Sequence, residues 1–285
     1  MKNASLKNKT VIVTAGNQGG GAIVAARFAE AGAKVAIIAH TDPLNKTPLT
    51  EVSNSITQSG GTAQTWEVDL LNATSIRATA NEIASHFGHI DILVNNFSFF
   101  HFKPSLETTP EEFNKILGNI HATFFLSQAC IPYLQKSENP HVINIAPPLD
   151  MDCAKAACEH HLLFSISKYG MSLCTLGMAE EFKNAGIAIN SLWQARPVVT
   201  QTLQRNFDDI VSKGSNKAEI YAEAAYQIVL MPAKDFTGNF VIDEEFLTKA
   251  GQDIQCYAID PAAKPVRDIF LPGVDYAVLK IKMEK

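Results

Sequence analysis

Short runs of β-branched and apolar residues alternate with longer segments of helical periodicity along nearly the whole chain. Parallel strands covered on both faces produce this pattern, because each strand is continuously apolar and each connection carries a helix. The sequence therefore predicts an α/β fold, a doubly wound parallel sheet of about seven strands with helices on both faces. The predicted strands read TVIVTA, AKVAIIAH, TWEVDL, IDILVNN, HVINIA, IAINSLW and GNFVID.

The 285 residues are predicted to form a single domain. Folds of the α/β class often reach this length as one domain, and the chain shows no repeat, low-complexity segment or linker. A long helix is predicted from about Leu162 to Asn184. From Phe246 onward the alternation of strands and helices stops, so residues 246–285 are predicted to be an irregular C-terminal extension that wraps the outside.

The formal net charge of −5 argues against nucleic-acid partners and against an anionic membrane surface. No segment approaches the ~18 apolar residues of a membrane span. The N-terminal MKNASLKNKT lacks the apolar core of a secretory signal. The five cysteines are odd in number and form no CxxC pair, which indicates reduced thiols. The expected location is therefore cytoplasmic.

The segment TAGNQGGG, from Thr14 to Gly21, lies between the first predicted strand and the first predicted helix. Backbone amides at a helix N-terminus can face a pyrophosphate, and glycines allow its close approach. The alternative is that these glycines serve only to pack the helix on the sheet. The placement between strand and helix favours a site that binds a nucleotide or descends from one that did.

The spacing of this turn resembles the TGxxxGxG turn of the short-chain dehydrogenases/reductases. Other landmarks of that family follow in order: Asp69 in EVDL, NNFS from Asn95, Asn119 in LGNIHATF, the lysine block ISKYGM, and Thr200. The segments PHVINIAPPL, KYGMSLCTLGMAEEF and FTGNFVIDEEFL are similar to the hydroxysteroid dehydrogenase-like subgroup. The resemblance covers roughly Lys7 to Pro272.

This resemblance implies a Rossmann-type fold and a nicotinamide cofactor, NADP or NAD. It implies hydride transfer between C4 of the nicotinamide and a carbonyl or alcohol carbon of a small-molecule substrate. It also implies a homodimer or homotetramer, paired through the helices near IHATFFLSQACIPYLQ and Ser165 to Phe182. The cofactor-binding positions that it implies are Thr14, Gly16, Gln18, Gly19, Gly21, His40, Asp69, Asn95, Lys168 and Thr200.

Four catalytic positions come with the same resemblance. A tyrosine exchanges the proton, a lysine lowers its pKa, a serine holds the substrate oxygen, and an asparagine positions a water. Lys168 and Asn119 keep their residue types, but the tyrosine position is Phe164 and the serine position is Ala146. General acid–base catalysis contributes ~10²–10⁴ in rate, and one oxyanion donor contributes ~10²–10³. Much of the family's rate enhancement should therefore be missing.

Few neighbouring side chains are suited to replace the missing donor. Tyr169, Ser165 and Ser167 project from other helix faces than Phe164. His161 precedes the predicted helix, where a capping or surface role is favoured over a catalytic one. A metal cluster is disfavoured, because its spacing is not that of a zinc site; the conceivable ligands are Cys153, Cys158, His160 and His161.

The cofactor positions also depart from the family pattern. Ala15 takes the place of the first glycine of the turn. His40 ends the second strand, where an acidic residue would bind the ribose diol of NAD. Phe97 replaces a small residue beside the adenosine ribose, and its ring could intrude there. Two further departures are Gln18, where the family often has arginine, and Gln194, where it usually has proline.

Two functional hypotheses remain. The preferred one is a short-chain dehydrogenase/reductase homologue that is catalytically inactive or severely impaired, with a ligand-binding or regulatory role and weak or lost cofactor binding. The rival is an active NAD(P)(H)-dependent oxidoreductase for a steroid-like or lipid-like carbonyl or alcohol, with a non-standard proton donor. Phe164 and Ala146 favour the first hypothesis, whereas the second is supported by Lys168, Asn119, Asp69 and Thr200. No metal is expected.

Overall fold

One parallel sheet in the order β3–β2–β1–β4–β5–β6–β7 organises the part of the chain that the structure describes. The structure, a computed structural model, describes residues 5–39 and 50–279. It confirms the predicted α/β doubly wound sheet. The strands are β1 (Thr10–Thr14), β2 (Lys34–Ala39), β3 (Thr62–Glu67), β4 (Ile92–Asn95), β5 (His141–Ile145), β6 (Ala188–Trp193) and β7 (Phe240–Ile242).

Helices fill the connections between the strands. None of the helices in the described ranges is both long and apolar enough to cross a membrane. The described helices are α1 (Gly19–Glu30), α2 (Glu51–Gln58), α3 (Ala73–Phe87), α4 (Pro110–Leu134), α5 (Met151–Glu181), α6 (Gln201–Asn206), α7 (Asp209–Lys213), α8 (Glu219–Ile228) and α9 (Asp243–Lys249).

Alternate residues of the central strands supply two hydrophobic cores. Val11 and Val13 of β1 pack into one cluster, while Ile12 packs into the other. Successive side chains of a strand point to opposite faces of the sheet, so a continuously apolar strand serves both cores. The first cluster packs the sheet against α1 and α8, and the second packs it against α3 and α4.

Local capping signals set the ends of α3 and α4. The Asn72 side chain accepts hydrogen bonds from the amides of Thr74 and Ser75 at the start of α3. At the start of α4, Thr109 and Glu112 form a capping box in which each side chain accepts from the other residue's amide. These reciprocal bonds satisfy amides that have no partner inside the helix. They fix the start of the helix that carries Asn119.

Helix α5 contains the long helix that the sequence predicted, preceded by a helical segment that it did not. The predicted start near Leu162 follows a kink at His161 (φ −145°, ψ 54°), where two helices join, and the first of them begins at Met151. Asp150 causes the early start, because its side chain accepts hydrogen bonds from the amides of Asp152 and Cys153, both at 2.9 Å. The kink divides α5 into two helical segments.

Part of the C-terminal segment is buried against the sheet and does not lie on the outside of the domain. After α9 and a short 3₁₀ turn at Ile254–Tyr257, the described chain carries no further helix or strand. Asp268 and Phe270 are nevertheless buried, and the Asp268 amide donates to the Ala195 carbonyl at 3.2 Å. The expectation of a purely peripheral segment is therefore wrong at these residues, which return to the carboxyl edge of the sheet.

Candidate functional site

A cavity of about 190 Å³ opens at the carboxyl ends of β1, β4, β5 and β6. This is the edge at which open α/β sheets bind their ligands. The walls come from the glycine turn, the loop after β4, helix α5, the segment after β6 and the C-terminal segment. Most of the lining is apolar, and its aromatic members are Phe100, Phe102, Phe164, Trp193, Phe207 and Tyr221.

Lys168 lies in the wall of this cavity and is only 2% exposed. Its Nζ atom donates to the carbonyl of Ile145 at 3.0 Å and lies 3.7 Å from the Met171 sulfur. Burial lowers the pKa of Lys168 to about 7, although the charge of Asp268 acts in the opposite direction. A carbonyl and a thioether stabilise an ammonium group less than water does, so the neutral amine is strongly populated near neutral pH.

Phe164, at the position that the resemblance assigns to the tyrosine, is part of an aromatic cluster. Its ring centroid lies 5.3 Å from that of Phe100 in a stacked arrangement, and 5.9 Å from those of Phe102 and Phe270. The Lys168 Nζ is 5.9 Å from the Phe164 ring centroid. The lysine therefore faces a hydrocarbon ring at the place where the family pattern has a phenol.

Ala146 follows β5 directly and is fully buried. Its methyl side chain can neither donate nor accept a hydrogen bond. The neighbouring Pro147 carbonyl accepts from the Ser172 hydroxyl at 2.7 Å, so this hydroxyl is directed at the backbone. The position that would hold a substrate oxygen is therefore apolar.

Asn119 is fully buried in α4, and its amide holds the loop that follows β4. Its Oδ1 accepts from the Phe99 amide at 2.7 Å, and its Nδ2 donates to the Phe99 carbonyl at 3.0 Å. Nδ2 also lies within hydrogen-bond distance of the hydroxyls of Ser98 and Ser167. The observed bonds give Asn119 a positioning role for this loop.

The loop after β4 carries four phenylalanines within six residues. Phe97 and Phe99 form an edge-to-face pair at 4.7 Å beside the glycine turn. Phe100 and Phe102 stack at 6.0 Å and line the cavity. The predicted intrusion of Phe97 at an adenosine ribose stays a prediction, but the ring does lie next to Ala15 in the wall of a second cavity.

The glycine turn is fastened to β4 by Thr14. Its hydroxyl oxygen accepts from the amides of Asn96 and Phe97, both at 2.8 Å. Ala15 adopts φ +50°, a left-handed conformation that favours glycine. A Cβ added at Gly21 would overlap with the Ala15 carbonyl oxygen, so the close approach of helix and turn requires glycine there.

Asn95 crosslinks the sheet below the site. Its Nδ2 donates to Asn144 Oδ1 at 2.8 Å and to the Ser127 hydroxyl at 3.0 Å. Asn144 in turn donates to Thr175 in α5 at 2.9 Å. This buried network joins β4, β5, α4 and α5, and it fixes the floor of the cavity.

The start of α1 fits a phosphate group. Gln18 precedes the helix in an extended conformation (φ −159°, ψ 166°), and the first turn holds no acidic residue. Gly19 has φ +53°, and an added Cβ would meet only the Thr200 methyl group, at 3.7 Å. The amides of this turn can therefore face an anion, with Gly16 packed below them against Val13.

The two ends of the implied cofactor site are described to different extents. At the adenosine end, Asp69 is exposed and its Oδ1 accepts from the Leu71 amide at 2.9 Å, while His40 lies outside the described residues. At the nicotinamide end, Thr200 caps α6, with its hydroxyl accepting from the Leu203 amide at 3.2 Å. The described residues at the start of α1 thus fit a pyrophosphate.

Asp268 is the site residue that sequence reasoning missed. Its carboxylate accepts from Trp193 Nε1 at 2.6 Å and from Gln194 Nε2 at 3.0 Å. Gln194, noted as a departure from the usual proline, is therefore a partner of a buried carboxylate. In the sequence, Gln194 was the only hint of this carboxylate, because Asp268 lies in a segment without helical or strand periodicity.

The alternative donors do not converge on the cavity. The Tyr169 ring packs edge-on against Phe270 at 5.4 Å, its hydroxyl finds no partner among the described residues, and burial raises its pKa. His161 is 8% exposed and lies edge-on to Phe102, so the expected surface position is wrong. Burial lowers the pKa of His161 to about 4. Within the described ranges, no group of three or more His, Cys, Asp or Glu is placed to hold a metal.

The chain is similar to proteins of one family. A family model described as short chain dehydrogenase matches residues 9–210. Hydroxysteroid dehydrogenase-like protein 2 of Danio rerio is 39% identical over 269 residues, which cover 93% of this chain and 64% of that protein. The chain thus spans a little under two thirds of the length of this curated relative.

Solved structures give the same result for the fold. A crystal structure of a Xanthomonas campestris protein matches with a TM-score of 0.87 at 33% identity, covering 94% of this chain and 99% of that one. A Burkholderia cenocepacia short-chain dehydrogenase in complex with NADP matches with a TM-score of 0.72 at 22% identity, covering 83% and 96%. The second likeness shows the fold alone.

Proposed function

The chain belongs to the short-chain dehydrogenase family, and we propose that it binds a small apolar molecule beside Lys168 without catalysing the hydride transfer of that family. The observation that carries this proposal is the oxygen-free ring of Phe164 in the cavity wall, next to a buried lysine. A nascent alkoxide needs a proton donor of suitable pKa within hydrogen-bond reach. Phe164 and Ala146 supply neither a proton nor a hydrogen bond.

The hydroxyl groups in the cavity wall are poor substitutes. Tyr221 donates to Asn96 Oδ1 at 3.2 Å, and burial raises the pKa of its phenol well above the ordinary value. Thr200 accepts from the Leu203 amide at the start of α6, and the Ser98 hydroxyl donates to the Phe99 carbonyl at 3.2 Å. None of the three groups is on α5, where the family pattern has its donor.

The cavity defines the chemical class of the ligand. Aromatic and aliphatic side chains form most of its wall, and Lys168 and Asp268 are its charged members. A volume of about 190 Å³ is below the ~300–1,000 Å³ of pockets for drug-sized ligands. The ligand is therefore a compact apolar molecule, about one ring in size, with one polar group that faces the lysine.

Calorimetric titration with benzyl alcohol tests this function. We expect saturable binding with a Kd of ~1 mM or tighter, because this needs about 0.5 kcal/mol for each of the eight heavy atoms, and very small ligands can gain up to ~1.5 kcal/mol per heavy atom. The cavity-filling substitution Leu203→Phe should abolish the binding, whereas Leu176→Phe on the exposed side of α5 should leave it unchanged. Absence of saturation, or equal binding by both variants, would contradict the proposal.

Nucleotide affinity is expected to be weak. The start of α1 suits a pyrophosphate, but Ala15 puts a side chain at a left-handed position of the turn, and Phe97 lines the same cavity as Ala15. Calorimetry with NADPH and with NADH should give no Kd in the micromolar range or tighter. The double variant Ala15→Gly, Phe97→Ala should bind more tightly than the wild type. Micromolar binding by the wild type would show that the cofactor cleft is intact.

A second candidate function is an active NAD(P)(H)-dependent oxidoreductase with an unusual donor. The observation that favours it is the Tyr221 hydroxyl, which lines the same cavity as Lys168 and Thr200. When bound, the nicotinamide would supply the hydride, and Thr200 and Lys168 would hold it. Turnover that is present in the wild type and lost in Tyr221→Phe would support this candidate.

A homodimer or homotetramer through α4 and α5 stays a prediction. Apolar side chains are exposed on both helices, among them Phe124 on α4 and Leu173 on α5. Their burial between copies would remove this apolar surface from water.

A further inference from the structure

The amine of Lys168 faces the cavity, and no salt bridge joins it to a carboxylate among the described residues. Within the part of the chain that the structure describes, its hydrogen bond to an oxygen acceptor is to the backbone carbonyl of Ile145, at 3.0 Å. Asp268, the carboxylate whose charge acts on it, is engaged by Trp193 and Gln194. In the family pattern a tyrosine hydroxyl would lie near this amine, but here the ring of Phe164 borders the same part of the cavity.

The surroundings keep much of the amine neutral. The lysine is 2% exposed, and its Nζ lies 5.3 Å from the Trp193 ring centroid and 5.9 Å from that of Phe164. Burial lowers its pKa to about 7. Desolvated lysines of this kind are activated for addition to carbonyl groups. The titratable groups facing it are Asp268 and the high-pKa phenol of Tyr221.

We propose that Lys168 forms an imine with a small apolar aldehyde that enters the cavity. This inference rests on the proposed function, because it requires the cavity to accept an apolar ligand. The apolar walls select the ring or chain of the aldehyde. The compact volume favours an aldehyde over a ketone, since only one substituent of the carbonyl carbon then needs space.

The step conserves atoms and electrons without an oxidant or reductant. The lone pair of Nζ forms a bond to the carbonyl carbon, and the π pair of the C=O bond moves to oxygen. A proton passes from nitrogen to that oxygen to give a carbinolamine. The C–O bond then breaks, the oxygen leaves as water with the second proton of the amine, and the C=N bond forms.

Reductive trapping with benzaldehyde and sodium cyanoborohydride tests the inference. Cyanoborohydride reduces the imine to a stable benzylamine, and peptide mass spectrometry then locates it. At pH 7.5 a surface lysine is neutral to roughly one part in a thousand, so Lys168 should be labelled at least ~10-fold more than exposed lysines such as Lys136. The α-amino group, which is also partly neutral at this pH, is quantified separately.

Two variants and a competitor make the result specific. Lys168→Arg should lose the label in the α5 peptide, whereas Lys136→Arg should retain it. Benzyl alcohol, which has the same ring and no carbonyl, should reduce labelling of Lys168 in proportion to its occupancy. If Lys168→Arg fails to fold, the wild-type peptide map with and without benzyl alcohol decides the question alone.

The outcomes separate this inference from the proposed function. Labelling of Lys168 that does not exceed that of Lys136, in protein that binds benzyl alcohol, overturns the imine and leaves the ligand-binding function standing. Failure of both benzyl alcohol binding and trapping overturns both. Selective, competable labelling of Lys168 supports both.

Discussion

The double variant Phe164→Tyr, Ala146→Ser is expected to reduce a small aromatic ketone with NADPH ~10²-fold or more faster than the wild type, whose rate should equal that of the protein-free reaction. The new phenol would stand in the cavity wall on the side where Lys168 lies, and the new serine would follow β5. General acid–base catalysis alone contributes ~10²–10⁴ in rate. The gain in rate therefore measures the catalysis that is lost because Phe164 and Ala146 stand at the tyrosine and serine positions.

Full activity is not expected from this variant. Ala15 and Phe97 remain in the cofactor cleft, and the rings of Phe100 and Phe102 occupy space beside the new phenol. Turnover should thus stay below the ~10 s⁻¹ that is typical of enzymes, even at high NADPH concentration. Stopped-flow absorbance of NADPH is the measurement.

Tyr169→Phe is the matched control, because it removes a phenol that is adjacent in sequence but packs against Phe270. It should change no rate in either background. Robust ketone reduction by the wild-type protein would refute the absence of hydride transfer. Vigorous turnover by the double variant would show instead that the cofactor cleft had been preserved.

Lys168→Met is expected to raise the free energy of unfolding at pH 7 by about 3 kcal/mol. The pKa of Lys168 is about 7 in the folded protein against 10.5 for an ordinary lysine. Each pKa unit of this difference corresponds to about 1.4 kcal/mol of unfolding free energy. The expected gain is smaller than the full difference, because the variant loses the hydrogen bond to Ile145 and leaves the charge of Asp268 without the nearby lysine. Methionine has nearly the same length and carries no charge.

The same substitution should change how stability depends on pH. Between about pH 7 and pH 10.5 the unfolded chain binds a proton at Lys168 that the folded chain does not, so the contribution of this residue makes stability rise with pH. Below about pH 7 its destabilising effect is fully present. Lys168→Met removes this part of the slope.

Urea denaturation at several pH values measures both effects. Lys136→Met, at an exposed lysine just beyond the C-terminal end of α4, should leave the free energy of unfolding and its pH dependence nearly unchanged. Destabilisation by Lys168→Met across the whole pH range would show that the amine is charged and well solvated in the folded protein. That result would also remove the basis of the imine.

The sheet could be predicted from the sequence because its signal is local. Each buried strand is a short run rich in β-branched residues, which can be recognised without information from the rest of the chain. In β1, Val11 and Val13 face one core and Ile12 faces the other. The helix from about Leu162 was predicted where the kink at His161 places it, but the helical segment from Met151 before it was missed. That segment starts at the cap of Asp150, and its residues show little amphipathic pattern.

The site was predicted only where a motif marks it. Phe164 and Lys168 lie one turn apart on α5, so their proximity follows from helix geometry. The partner Asp268 lies far along the chain in an irregular segment, and the stacking of Phe100 on Phe164 depends on how the loop after β4 folds. Such contacts join irregular segments that are far apart in the chain, so a single sequence shows no pattern from which they could be predicted.

Lys168 is almost completely buried, so a ligand needs a route to its amine. The segment that contains Asp268 and Phe270 borders that route. This segment is tied to its neighbours by isolated backbone bonds, such as Val266 to Gly214 at 3.0 Å and Asp268 to Ala195 at 3.2 Å, whereas the strands are joined by continuous ladders. Local opening costs less free energy than global unfolding. We therefore expect residues 266–271 to separate from the end of β6 at a lower free-energy cost than the strands separate from one another, even though Trp193 and Gln194 also hold Asp268.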